Sequence, residues 1–125
     1  MDLISDRIRR FLMVSIPSVP HLEALMLLWR ERERAFPAEE IAGRLYIAAG
    51  LARKMAEELR LAELVISEDD GATHRIRTDS PELDSLFGEL DRTYASHVRA
   101  VSELIHSNLG RKATNFANSF YWRKP

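Results

Sequence analysis

A mostly α-helical fold carrying one helix pair and one small β-hairpin is what this 125-residue sequence predicts. Three observations predict it. Residues 37–78 read PAEEIAGRLYIAAGLARKMAEELRLAELVISEDDGATHRIRT, in which two helical runs are separated by the short link Tyr46-Ile47-Ala48. Two β-favouring runs, Leu64-Val65-Ile66 and Thr73–Thr78, then flank Glu68-Asp69-Asp70-Gly71, and Asp-Gly is a strong hairpin turn signal. Beyond the hairpin, Leu83, Phe87, Leu90, Tyr94, His97, Val101 and Leu104 follow at steps of 4-3-4-3-4-3, the seam of a long helix.

The elements follow in order. Leu3, Ile4, Ile8, Phe11 and Leu12 recur at helical spacing, so residues 1–16 form an amphipathic N-terminal helix. Arg7, Arg9 and Arg10 lie on its polar side, as a solvated face or a phosphate-contacting one. Pro17-Ser18-Val19-Pro20 ends it, because proline donates no backbone hydrogen bond and biases its predecessor away from helix. Ser18 is the expected N-cap of a second helix over His21–Arg32, which buries Leu22, Leu25, Met26, Leu28 and Trp29 and leaves His21 on the surface. Phe36 is placed in a short strand. Pro37 opens a helix over Ala38–Leu45, and Glu39 and Glu40 suit the positive end of its dipole. Ile41 and Leu45 face inward. The next helix spans Ala49–Arg60, with Leu51, Met55 and Leu59 buried at steps of four and Ala48, Ala49, Gly50, Ala52, Arg53, Lys54 and Glu57 facing out.

Ser80-Pro81-Glu82 starts the long helix, which at about 25 residues reaches roughly 38 Å. Its seam fits a dimerisation helix, or packing within one subunit against Ile4, Ile8 and Phe11. His97 in the seam is either a pH sensor across an interface or a hydrogen-bonded core-edge histidine. The tail after it carries Phe116, Phe120 and Trp122 beside Arg111, Lys112, Arg123 and Lys124. Those aromatics either tuck onto the body or stack on nucleic acid.

Composition narrows the function. There is no cysteine, which excludes disulfides, thiolate metal sites and a cysteine nucleophile. The four histidines fall in separate segments without metal-ligand spacing, there is no glycine-rich phosphate loop, and no serine has a nucleophile-elbow context. We therefore expect no enzymatic activity, no metal and no cofactor. The longest apolar run, Ala24–Trp29, is too short to span a bilayer, and Met1-Asp2-Leu3 begins no signal peptide, so a cytoplasmic protein without membrane contact is expected. Net charge is −1. Residues 20–80 hold nine basic and twelve acidic side chains, whereas the four charges after Glu103 are all basic.

With Glu40-Ile41-Ala42 in the first helix of the pair, Leu51, Met55 and Leu59 in the second, and Leu64-Val65 entering the hairpin, residues 22–78 resemble the winged helix-turn-helix regulators of the MarR and PadR kind. The closing segment from Phe116 to Lys124 also looks like that of small uncharacterised bacterial winged-helix proteins, a likeness that implies no activity. Length and patterning give a single domain over 1–125, with an N-terminal helix at 1–16, a winged core at 20–79 with a two-stranded wing, a long dimerisation helix at 80–108 and a basic aromatic tail at 109–125, and the first resemblance covers the winged core. It further implies a homodimeric, DNA-binding transcriptional regulator. Arg53 and Lys54 would meet double-stranded DNA from the second helix, and Arg75 and Arg77 from the wing. Leu83, Phe87, Leu90, Tyr94, His97, Val101 and Leu104 would form the dimer interface. Against a strong DNA reader, Ala48-Ala49-Gly50 stands where such helices carry polar residues, and Glu57, Glu58 and Glu68-Asp69-Asp70 would repel phosphate. The alternative is an adaptor on the same fold that binds a protein partner through the small apolar patch Ala48–Ala52.

Overall fold

The computed structural model describes residues 3–107. Among them are six helices and three short strands. In chain order these are α1 (Asp6–Ser15), α2 (Val19–Arg30), β1 (Phe36–Pro37), α3 (Ala38–Leu45), α4 (Ala49–Leu61), β2 (Val65–Glu68), β3 (Thr73–Ile76), α5 (Pro81–Ser96) and α6 (Val98–Ser107). Contacts divide the chain into two compact units, one of Pro20–Asp91 and one of Met1–Val19 with Arg92–Pro125, the boundary falling inside α5. The aromatic tail expected at 109–125 lies outside the described residues.

In the unit of Pro20–Asp91, α2 buries His21, Leu22, Ala24, Leu25, Met26, Leu27 and Leu28. That is most of its circumference, so it is a central helix rather than a one-faced one. Trp29 at its end meets Phe87 of α5, ring centroids 5.7 Å apart and tilted by 53°. The expected surface position of His21 is overturned: it is 8% exposed, and its Nε2 lies 2.9 Å from Glu58 Oε1 of α4. A helix buried nearly all round leaves no free face for it, and the carboxylate satisfies the imidazole.

Helices α3 and α4 pack closely. Both end with the sixth-to-first hydrogen bond of a Schellman motif: Ile47 N–H donates to the Ala42 carbonyl, and Leu64 N–H to the Leu59 carbonyl, both at 3.0 Å. The left-handed residues these endings require are Tyr46 (φ 58°) and Glu63 (φ 63°). In α4 the buried stripe is Ala52, Met55, Ala56 and Leu59. Leu51, expected in the core, is 42% exposed, and Ala52, expected outside, is buried. At about 100° per residue, strict steps of four drift by about 40° each, so the row Leu51, Met55, Leu59 cannot stay on one stripe.

The sheet has three antiparallel strands in the order β1-β3-β2. Phe36 pairs with His74, and Val65–Glu68 pair with Ile76–Thr73. The expected two-stranded hairpin is thus extended by a short third strand at Phe36-Pro37. Asp69 and Asp70 adopt φ of 53° and 54°, followed by Gly71 at 86°. Aspartate tolerates the left-handed region better than most side chains, and glycine without cost. Phe36, His74 and Ile76 are buried.

In the other unit, α1 packs on α6, and Ile4, Ile8, Leu12, Ile16, Val101 and Ile105 are buried. The single helix expected over 80–108 is interrupted at His97. Bonds from His97 N–H to Thr93 and from Val101 N–H to the His97 carbonyl continue on either side, at 2.8 and 3.0 Å. Ser96, His97 and Val98 are three weak helix formers in a row, which is where such an interruption is least costly.

Candidate functional site

The surface around α4 contains the residues expected to meet a partner. Tyr46 occupies the helix-ending position where glycine is usual, and its side chain is almost wholly in solvent, 94% exposed. A bulky residue at positive φ costs of order 1–2 kcal/mol. Here no burial offsets that cost. The N-cap of α4 is Ala48, which supplies no side-chain hydrogen bond to the first turn. Along the solvent side of α4 lie Gly50, Leu51, Arg53, Lys54, Glu57, Glu58 and Leu61, with Leu61 66% exposed.

The four cations expected to touch DNA differ in their surroundings. Arg53 is exposed, with its Nη1 3.1 Å from Glu39 Oε1 of α3. Lys54 has no charged partner among the described residues. Arg75 reaches Glu68 Oε1 across the hairpin at 3.3 Å and the Glu33 carbonyl at 3.3 Å. Arg77 donates to Asp79 Oδ1 at 2.6 Å and to the Glu63 carbonyl at 3.2 Å. The Arg77 hydrogen bond holds the Asp79 carboxyl below its ordinary range and raises the guanidinium above its own.

This pairing extends over the unit of Pro20–Asp91. Arg30 pairs with Asp91 at 2.7 Å, Arg34 with Glu40, Arg44 with Glu31, and Arg60 Nε with Glu57 at 2.9 Å. Arg32 instead lies over the Trp29 ring, 4.1 Å from its centroid. Seven of the eight arginines in the unit therefore face a carboxylate, and its nine basic side chains stand against sixteen acidic ones, a formal charge of −7. A surface already matched in this way offers little net attraction to phosphate, whose binding depends on unpaired cations releasing counterions.

His74, on strand β3 of the hairpin, is 6% exposed, with Nδ1 2.8 Å from Ser67 Oγ. Burial lowers its pKa, with the charges of Glu57 and Glu39 acting in the opposite direction. Its hydrogen bond to Ser67 ties strand β3 to strand β2. Beside the outer edge of β2, Arg60, Glu63, Val65, Ile66, Ser67 and Arg77 line an open groove of about 470 Å³. Among the described residues no group of three or more His, Cys, Asp or Glu side chains converges to hold a metal ion, and no single helix is long and apolar enough to cross a membrane.

Of the seven residues expected at a dimer interface, Phe87, Leu90 and Val101 are fully buried within one chain, and Tyr94 nearly so. Leu83, His97 and Leu104 are partly exposed. The structure also brings forward two residues: Tyr46, which no expected site includes, and Leu51, which falls within the patch Ala48–Ala52. The spacing of α4 predicts Leu51 in the core, and Tyr46 is expected as a turn residue. The signal for Tyr46 is an aromatic in the slot where a helix pair wants glycine. Comparison of the chain with protein-family models, with curated proteins and with solved structures finds no match.

Proposed function

We propose that residues 20–79 form a winged-helix module, with α3 and α4 as the helix pair and β2–β3 as the wing, and that its α4 surface serves protein contacts. One observation carries this reading. The exposed side of α4 and the turn before it present Tyr46, Leu51 and Leu61 to solvent, while Arg53, Arg75 and Arg77 are each matched by a carboxylate. Exposed aromatic and aliphatic side chains on a rigid element are the usual anchors of protein recognition, and the neutralised arginines remove the attraction a DNA reader needs.

The second reading, a DNA-binding regulator, is favoured by the free Lys54 and the exposed Arg53 on the helix that would enter a major groove. Titration of a labelled duplex pool at about 20 and 150 mM salt separates the two. The protein-contact reading expects no retained duplex at either salt. Salt-dependent binding that Arg53→Ala and Lys54→Ala both weaken would establish the regulator instead.

A further inference from the structure

We infer that α4 pairs with the α4 of a second copy of this chain, antiparallel about a two-fold axis. The inference rests on the protein-contact reading and names its partner. Ala52, Met55, Ala56 and Leu59 turn inward. On the solvent side Leu51, Lys54, Glu58 and Leu61 follow at steps of 3, 4 and 3, the spacing of a coiled-coil seam. All four are exposed, and the two leucines at the ends are 42% and 66% so.

The order Leu-Lys-Glu-Leu is its own complement when reversed. An antiparallel second copy sets Leu51 against Leu61 and Lys54 against Glu58, and the two-fold axis repeats each contact, which is the requirement for an isologous interface. A parallel pairing would instead oppose Lys54 to Lys54 and Glu58 to Glu58, and like charges there select against it. The histidine contact leaves room for this: His21 Nε2 holds Oε1 of Glu58 at 2.9 Å, and Oε2 remains to accept from Lys54 of the second copy. Each end of the pair then places the turn carrying Tyr46 just beyond the end of the other α4. A 13-residue helix is about 20 Å long, so the contact is small and the affinity modest, with Kd on the order of 100 μM.

Sedimentation velocity of the full chain from about 10 to 500 μM tests the inference, a range chosen to bracket that affinity. The wild type is expected to shift from monomer to dimer across this range, and Leu51→Glu to remain monomeric. Lys54→Glu and Glu58→Lys should each lose the dimer, by opposing two carboxylates or two ammonium groups. Mixed in equal amounts, they should form a heterodimer that neither makes alone, because each variant then faces its opposite charge. Circular dichroism of each variant checks that the fold is kept. A wild type monomeric throughout, a dimer indifferent to Leu51→Glu, or a mixture without the heterodimer overturns the inference. None of these outcomes alters the duplex titration, which decides the protein-contact reading separately.

Discussion

His74 shows how one buried side chain sets a pH dependence. Its pKa is lowered chiefly by burial, so the folded state holds the neutral ring where an unfolded chain at 6.5 would begin to charge. A group with a depressed folded pKa contributes stability that is present above the unfolded value and lost as pH falls through the folded one. Denaturant unfolding at pH 7.5 and 5.5 should therefore show the chain weaker at the lower pH. His74→Gln, which keeps a partner for Ser67 Oγ but does not titrate, should flatten that difference. Equal pH sensitivity in the variant would assign the effect elsewhere. The exposed carboxylates Glu40, Glu57 and Asp79, held below their ordinary range by Arg34, Arg60 and Arg77, act only at lower pH and do not overlap this window. Tyr46 makes the complementary case. Replacing it by glycine removes a left-handed cost at a side chain that buries almost nothing, so Tyr46→Gly should raise stability by about 1 kcal/mol, or about 4 °C in Tm. Little of this was legible in the sequence. The Tyr46-Ile47-Ala48 link could be recognised, but its αL residue is set by how α3 and α4 pack, and burial of His21 depends on Glu58, which is 37 positions away.

At the scale of elements, local chemistry carried more. Ser80 was legible as a cap, and its Oγ accepts from Leu83 N–H at 3.2 Å while its carbonyl accepts from Asp84 N–H at 3.0 Å. Ser80→Ala should cost about 1 kcal/mol in thermal unfolding; a neutral result would mean that Pro81 alone starts α5. Helix α3 was legible to the residue because Pro37 and the paired glutamates mark its start. Both hairpin strands were legible from their β-branched runs and the Asp-Gly turn, although the ladder holds only four residues of each. The register of α4 was not. Leu51, Met55 and Leu59 are all apolar at steps of four, and only the neighbours decide that Ala52 and Ala56 flank the buried line while Leu51 leaves it. Small alanines at buried positions let a neighbouring element approach closely, a requirement invisible to a hydrophobicity pattern. Met55, 1% exposed, sits at the centre of that stripe, and Met55→Ala should destabilise by about 2–5 kcal/mol, read as a lower denaturation midpoint at unchanged m-value.

For the whole molecule, the question is which apolar face is used inside the chain and which is left for another. A 4-3-4-3 seam does not say whether its partner helix belongs to the same chain or a second one, because knobs fill holes equally well in both cases. The structure separates the two faces by exposure. Phe87, Leu90 and Val101 have none, and Phe87 is already engaged with Trp29, whereas Leu51 and Leu61 of α4 are open. Four of the seven seam residues, Phe87, Leu90, Tyr94 and Val101, are then spent on the fold, and the stripe on α4 carries the more open apolar side chains. This distinction has a measurable consequence. Truncating a buried aromatic costs about 3–5 kcal/mol, so Phe87→Ala should lower Tm by well over 10 °C. Because the lost contacts lie within one chain, the drop should be the same at about 5 and 200 μM protein. Stability that derives from association instead depends on concentration. The comparison is best made in the Leu51→Glu background, where pairing through α4 is removed. A gap between parent and Phe87→Ala that widens with concentration would place Phe87 between two copies and return the long seam to the role of dimer interface.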